Sequence, residues 1–171
     1  LAGARVICKT LSISAEQFDN AIEGFTGAAR RLEVAIERPQ QKFTVFRDFA
    51  HAPSKLKATQ SGVVGSFPER KVTAVFELHT FSSLNKAFLP QYASSMDSVD
   101  KAIVFYDPKV VEHKRLPAIS IQDVKDAFGR EDLEVITSVN SLEKRINAIP
   151  KENHCVLMMS SGRFGGAEIP Q

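Results

Sequence analysis

No apolar run approaches the ~20 residues that a membrane-spanning helix needs. No basic stretch followed by an apolar run and a cleavage site opens the chain, so no export signal is visible. Cysteine is scarce: Cys8 and Cys155 are the only two. Each lies in an apolar run (Arg5-Val6-Ile7-Cys8 and Cys155-Val156-Leu157-Met158), so both are expected to be small buried hydrophobes, as suits a reducing cytosol. Charge of one sign is also missing, since the net charge is +2 and the cations form pairs such as Arg30-Arg31 rather than a stripe. That balance argues against nucleic acid and against an anionic membrane as partners. No Gly-x-x-x-x-Gly-Lys-Ser/Thr phosphate loop is present, no His/Cys set has zinc spacing, and no Gly-x-Ser-x-Gly elbow occurs. No catalytic residue and no metal ligand is therefore expected within this chain, which by itself should catalyse nothing.

What is present is an ordinary globular composition. The 171 residues, 43% hydrophobic and 25% charged, suffice for one domain whose core needs no staples. The chain begins at Leu1 and runs straight into a helical pattern, which leads us to expect a piece of a longer protein. Helices are expected over residues 1–11 and from a Ser14-Ala15-Glu16-Gln17 capping box, with Phe18, Ile22 and Phe25 on one face and Gly24 and Gly27 as stops. A third starts at Pro53, turns Leu56, Ala58 or Thr59, and Val63 inward, and stops at Pro68. Others are expected over 83–96, with Leu84, Phe88 and Tyr92 in register, and over 120–128 and 141–149. Strands are expected over 31–37 (Leu32, Val34 and Ile36 alternating inward), 43–49, 71–78, 102–106, 133–136 and 155–160. Residues 107–119 read as the one long irregular segment. Alternating strands and helices imply an α/β, Rossmann-like, three-layer domain with a mostly parallel sheet. The tight turn at Pro39-Gln40-Gln41 makes one edge strand antiparallel.

In such a sheet, ligands bind outside the carboxyl ends of the strands. The polar clusters of this chain fall there: Arg47-Asp48-Phe49-Ala50-His51-Ala52-Pro53-Ser54-Lys55, then His79-Thr80-Phe81-Ser82-Ser83, then Asp107, then Ser160-Ser161-Gly162-Arg163-Phe164-Gly165-Gly166. Together they read as one composite site. Asp48 either caps the following helix or contacts a ligand. His51, beside Ser54 and Lys55 at a helix amino end, suits a phosphate, although a lone histidine is more often structural. His79, Ser82 and Ser83 either cap a helix or bind substrate. The glycine turn lacks the spacing of a dinucleotide fingerprint, yet lets backbone approach a ligand closely, and Arg163 within it could hold a carboxylate.

At Asp48-Phe49-Ala50-His51-Ala52-Pro53 the sequence resembles the Asp-Tyr-Ala-His-x-Pro signature of the Mur ligase family, ATP-dependent amide-forming enzymes that build the peptide of the bacterial cell wall. Phe25-Thr26-Gly27-Ala28-Ala29-Arg30-Arg31 resembles the family's Phe-x-Gly-x-x-Arg-Arg segment at the junction of central and C-terminal domains. The resemblance makes residues 1–30 the tail of a central ATPase domain with the junction, and 31–171 the C-terminal domain. Within the family, the ending at residues 158–166 is most similar to members that join the murein tripeptide L-alanyl-γ-D-glutamyl-meso-diaminopimelate to UDP-N-acetylmuramate. Members that add L-alanine to UDP-N-acetylmuramate come second, and folylpolyglutamate synthetase-like ligases fit less well. His79-Thr80-Phe81-Ser82-Ser83 departs from the Arg-Ser-Asn-Thr type segment of tripeptide ligases, which leaves the amine substrate open. The resemblance implies a bacterial cytoplasmic enzyme that uses ATP and magnesium, both bound mainly by a central domain, with the UDP-sugar on an N-terminal one. It implies Arg31, Asp48, His51, Ser54 and Lys55 at the nucleotide, and His79, Ser82, Ser83, Ser161, Gly162, Arg163, Gly165 and Gly166 at a peptide or amino-acid amine. The reading of a different class is a free-standing, non-catalytic nucleotide-binding module.

Overall fold

The computed structural model describes residues 2–25 and 31–168. Strands β1 (Glu33–Arg38), β2 (Phe43–Asp48), β3 (Lys71–Glu77), β4 (Lys101–Phe105), β5 (Glu134–Ile136) and β6 (His154–Met159) form one sheet in the order β1-β2-β6-β3-β4-β5. Four neighbouring pairs are parallel, and only the β1–β2 hairpin is antiparallel. The last strand of the chain thus lies in the middle of the sheet, between β2 and β3.

Side chains of successive strand residues alternate between two apolar layers, as the two-residue period of a strand demands. Val72, Ala74, Phe76, Cys155, Leu157 and Met159 face one layer with Leu56 and Val63 of helix α3 (Pro53–Ser66) and Val124 and Phe128 of helix α5 (Ile121–Phe128). Val45, Val75, Ile103, Phe105, Val156 and Met158 face the other, with Leu142 and Ile146 of helix α6 (Val139–Asn147). Both faces are covered, which is why the central strands read as continuous apolar runs. The three-layer α/β architecture and the antiparallel edge agree with the expectation.

Several local expectations do not survive. No α-helix forms over residues 83–96; turns lead into a short 3₁₀ helix, Leu89–Tyr92. Pro90 has no N–H to give to the Lys86 carbonyl, so a continuous α-helix through it would lose that bond. The Asn85 side chain also accepts the Ala87 N–H at 2.9 Å, holding a local turn instead. Leu84, Leu89, Tyr92 and Met96 are nonetheless all buried. Residues 107–119 are not wholly irregular: Asp107 accepts the Lys109 N–H at 2.9 Å and opens helix α4 (Pro108–His113), with Pro108 at its first position. In α3, Ala58 is exposed and Gln60 is buried, donating to the Ser95 carbonyl at 3.0 Å.

The amino-terminal helices differ from expectation as well. Helix α1 (Ala2–Thr10) buries no residue, so Cys8 is half-buried rather than in a core, whereas Cys155 is fully buried as expected. Helix α2 (Ala15–Glu23) has the Ser14–Gln17 capping box and a Gly24 C-cap, and it buries Phe18 but leaves Phe25 exposed. Gly27 lies outside the described residues. In β1 a bulge between Val34 and Ile36 breaks the alternation, leaving Val34 exposed and Ile36 half-buried. Among the described residues no helix is long and apolar enough to cross a membrane.

Candidate functional site

The sheet order creates the site. β2 and β3 both lead into the layer that holds Ala50, Leu56, Leu78 and Leu84, whereas β6, between them, leads into the opposite layer through Phe164. Neighbouring strands whose chains leave toward opposite faces open a crevice at their carboxyl ends. A cleft of about 540 Å³ occupies that position, lined by Glu33, Arg47, Asp48, Ser160, Gly162 and Arg163 with the apolar Met158, Phe164 and Ala167.

On the β2 side, Asp48 acts as a clasp. Its Oδ2 accepts the Leu32 N–H at 2.7 Å and its Oδ1 the Ala50 N–H at 2.6 Å, joining the start of β1 to the loop before α3. Asp48 therefore does not cap α3: the N-cap is Ala52, which makes no side-chain cap bond. The first turn of this 14-residue helix presents its backbone N–H groups without a side-chain acceptor, with Pro53 at the first position. Phe49 stands between Arg31, whose guanidinium lies 5.5 Å from the ring centroid, and His51, whose ring meets it edge-on at 5.2 Å. His51 Nδ1 is 2.9 Å from the Phe49 carbonyl, and the His51 carbonyl accepts the Tyr92 hydroxyl at 2.6 Å. Burial raises the Tyr92 pKa, so this hydroxyl remains a donor well above neutral pH. Arg31, Asp48 and His51 are thus brought together, while Ser54 and Lys55 are exposed on the first turn of α3.

On the β6 side, the turn after Met159 is held by a residue that sequence reasoning missed. Ser160 N–H donates to the Asp48 carbonyl at 3.0 Å, tying the two strand ends together. Glu77, only 3% exposed at the end of β3, accepts the Ser160 hydroxyl and the Phe164 N–H (2.8 Å) on the same oxygen, Oε2. The Gly162 N–H in turn donates to Ser160 Oγ at 2.7 Å. A Cβ on Gly162 would stand 2.8 Å from both Glu77 Oε2 and His79 Cγ, so only glycine lets the turn approach this closely. Gly165 has φ +65°, and its Cβ would meet Val139 at 2.8 Å, which is a packing reason for glycine there. Ser161 Oγ is buried with no hydrogen-bond partner among the described residues. Arg163 is exposed at the cleft.

The third cluster separates. His79 touches the Gly162 position and has Nδ1 3.6 Å from Glu77 Oε1, too long for a hydrogen bond. Ser82 is exposed, and Ser83 is buried, exchanging hydrogen bonds with Thr80 to close a turn. None of these three lines the cleft. Glu77 and Glu33 are the site residues not foreseen, while Arg47, expected only as part of the polar cluster after β2, lines the cleft. For Glu77 a signal existed: an acidic side chain inside the apolar run of residues 71–78 is costly to bury without a purpose.

The chain is 29% identical over 156 residues to a UDP-N-acetylmuramate–L-alanine ligase of Caldanaerobacter subterraneus, covering 90% of this chain and 33% of the relative. The crystal structure of a UDP-N-acetylmuramate–alanine ligase from Thermotoga maritima superposes with a TM-score of 0.72 at 20% identity, over 95% of this chain and 33% of that one. A domain from a Haemophilus ducreyi protein, named as a UDP-N-acetylmuramate:L-alanyl-γ-D-glutamyl-diaminopimelate ligase, gives a TM-score of 0.58 at 25% identity, over 80% of this chain and 93% of that domain. The chain spans about a third of the length of the two L-alanine ligases. Residues 30–162 match the family described as Mur ligase, glutamate ligase domain, and with that match, over the parallel sheet and the crevice just described, the chain belongs to the Mur ligase family.

Proposed function

We propose that this chain is the C-terminal, closing domain of an ATP-dependent, amide-forming ligase of peptidoglycan synthesis or recycling. Residues 1–30 are the end of the preceding central domain and its junction, and 31–171 the domain proper. The observation that carries the reading is the crevice at the carboxyl ends of β2 and β6, where Asp48 and the Ser160–Gly166 turn meet and the Ser160 N–H binds the Asp48 carbonyl. The family match and the resemblance of both loops support it.

In this reading Arg31 and His51, fixed around Phe49, face the nucleotide phosphates together with Ser54, Lys55 and the uncapped amino end of α3. Asp48 holds that loop in shape through its two backbone hydrogen bonds. ATP supplies the phosphoryl group that activates a substrate carboxylate, with magnesium bound mainly by the central domain. The incoming amine would then attack the carbonyl carbon of the acyl phosphate, forming the amide with loss of a proton and release of inorganic phosphate. This domain contributes no nucleophile. Its part is to orient the amine and to exclude water from a hydrolysable intermediate as it closes.

For the amine we favour the murein tripeptide L-alanyl-γ-D-glutamyl-meso-diaminopimelate. The cleft is within the size range of small-molecule sites and carries two exposed guanidinium groups, Arg47 and Arg163. A peptide with several carboxylates can use both, in bidentate pairs, whereas L-alanine has one carboxylate to offer. L-Alanine is the second reading, favoured by the 29% identical relative. The test is ADP release by the full-length enzyme with UDP-N-acetylmuramate and either amine. Tripeptide-dependent turnover supports the first reading, L-alanine-dependent turnover the second, and turnover with neither would overturn both.

A further inference from the structure

Among the described residues, Glu77 is the one buried acidic residue at the carboxyl edge of the sheet that the ligase reading leaves without a task. It sits on β3, 3% exposed, where a carboxyl group persists only if its oxygens are bonded. Oε2 takes two donors from the neighbouring strand's turn, the Ser160 hydroxyl and the Phe164 N–H, which lie 83 and 87 residues along the chain. Oε1 faces His79 Nδ1 at 3.6 Å. One carboxyl group therefore stands between the two pieces assigned to the amine, the turn after β6 and the histidine after β3. Gly162 shows how closely they are seated, since a single methyl group there would overlap both Glu77 and His79.

We infer that Glu77 is a positioning residue for the amine substrate: its side chain seats residues 160–164 and His79 against one another and so sets where Arg163 and the turn's backbone meet the amine. The inference rests on the ligase reading. The same seat does not reach the nucleotide loop except through backbone, because Asp48 binds Leu32 and Ala50 rather than Glu77. Its loss therefore acts on one substrate and not on the other. Because both donors meet one oxygen, a glutamine of the same shape can keep the acceptor of the Ser160 hydroxyl and the Phe164 N–H on its carbonyl oxygen and so restores much of the seat. A role confined to folding would depress the activity toward all substrates alike and would show in the melting temperature.

The experiment is steady-state kinetics of ADP release by the full-length enzyme, with ATP, UDP-N-acetylmuramate and either the murein tripeptide or L-alanine, whichever the wild type uses. Glu77→Ala should raise the KM for that amine about ten- to a hundredfold, the scale on which misplacement of about 1 Å at a remote residue acts. The KM for ATP should stay within about twofold, and Glu77→Gln should recover most of the amine affinity. Equal changes in both KM values, or no rescue by glutamine, would overturn the inference while leaving the ligase reading intact. No amine-dependent ADP release by the wild type would overturn both. If Glu77→Ala does not fold, Gly162→Ala, which disturbs the seat from the surface turn, should give the same amine-selective defect. An unchanged amine KM in that variant would also overturn the inference.

Discussion

Removing the Asp48 carboxyl group has a consequence that follows from two distances. In Asp48→Ala the Leu32 N–H (2.7 Å from Oδ2) and the Ala50 N–H (2.6 Å from Oδ1) lose their acceptor together. The two losses are unequal. Leu32 is 40% exposed, so water can replace the carboxylate there, whereas Ala50 is 1% exposed and its N–H would be left unsatisfied. A stranded buried donor costs about 1–3 kcal/mol, and the exposed one adds a few tenths. We therefore expect Asp48→Ala to lose roughly 2 kcal/mol in urea unfolding, with the m-value unchanged. Asp48→Asn keeps one acceptor and should lose about half as much, since its amide group cannot also accept from the second N–H. The companion measurement is hydrogen exchange at the Ala50 amide, which should speed up in Asp48→Ala together with its neighbours in the loop before α3. An unfolding midpoint equal to wild type, or an Ala50 amide still protected, would refute the clasp.

Four further outcomes follow from other parts of the structure. Burial lowers the pKa of His154 from its usual 6.5, with Asp100 opposing and Lys71 adding to the shift, and its Nε2 lies 2.8 Å from Thr73 Oγ1. As pH falls below about 6.5 the unfolded chain takes up this proton first, so the stability contributed by the neutral ring declines until the folded state protonates as well. Urea midpoints from pH 7.5 down to 5 should therefore fall less in His154→Gln than in wild type. Gly165→Ala forces a positive φ on alanine and places its methyl 2.8 Å from Val139, so it should cost about 1–3 kcal/mol. Gly65→Ala in α3 has open space and should gain up to about 1 kcal/mol; the reverse order in thermal melts would contradict the packing described. Tyr92→Phe loses the bond to the His51 carbonyl and should cost about 1 kcal/mol while retaining the ring stacked on Phe128 at 5.2 Å. Its signature would be altered amide chemical shifts in residues 49–55.

Local patterns made much of the domain legible. Continuous apolar runs marked β3, β4 and β6 as strands buried on both faces, and their alternation with helices implied a parallel sheet. The capping boxes at Ser14 and Ser120 and the turn at Pro39 act within a few residues, so they could be read without knowing the fold. Even where the helix over 83–96 failed, Leu84 and Tyr92 still found the core and Phe88 packs half-buried against it, because apolar content decides burial while Pro90 and Asn85 decide backbone. The Asp-Pro pair at 107–108, a cap followed by proline at a first helical position, is itself a local signal for α4.

Local order along the chain sets which segments are apolar, which turn, and which loops are polar. Their neighbours are set by the assembled sheet. The insertion of the final strand between β2 and β3 depends on pairings across more than eighty residues, for which no local spacing is a signal. That insertion sets the Ser160–Gly166 turn beside Asp48 on one side and Glu77 on the other, and sends it to the opposite face of the sheet. Glu77 reads as one acid at the end of a strand until β6 arrives next to it, and Gly162 as one glycine in a loop until His79 and Glu77 occupy the space its side chain would need. Burial of a polar group and steric exclusion are properties of assembled neighbours, and the chain acquires them only when the sheet closes.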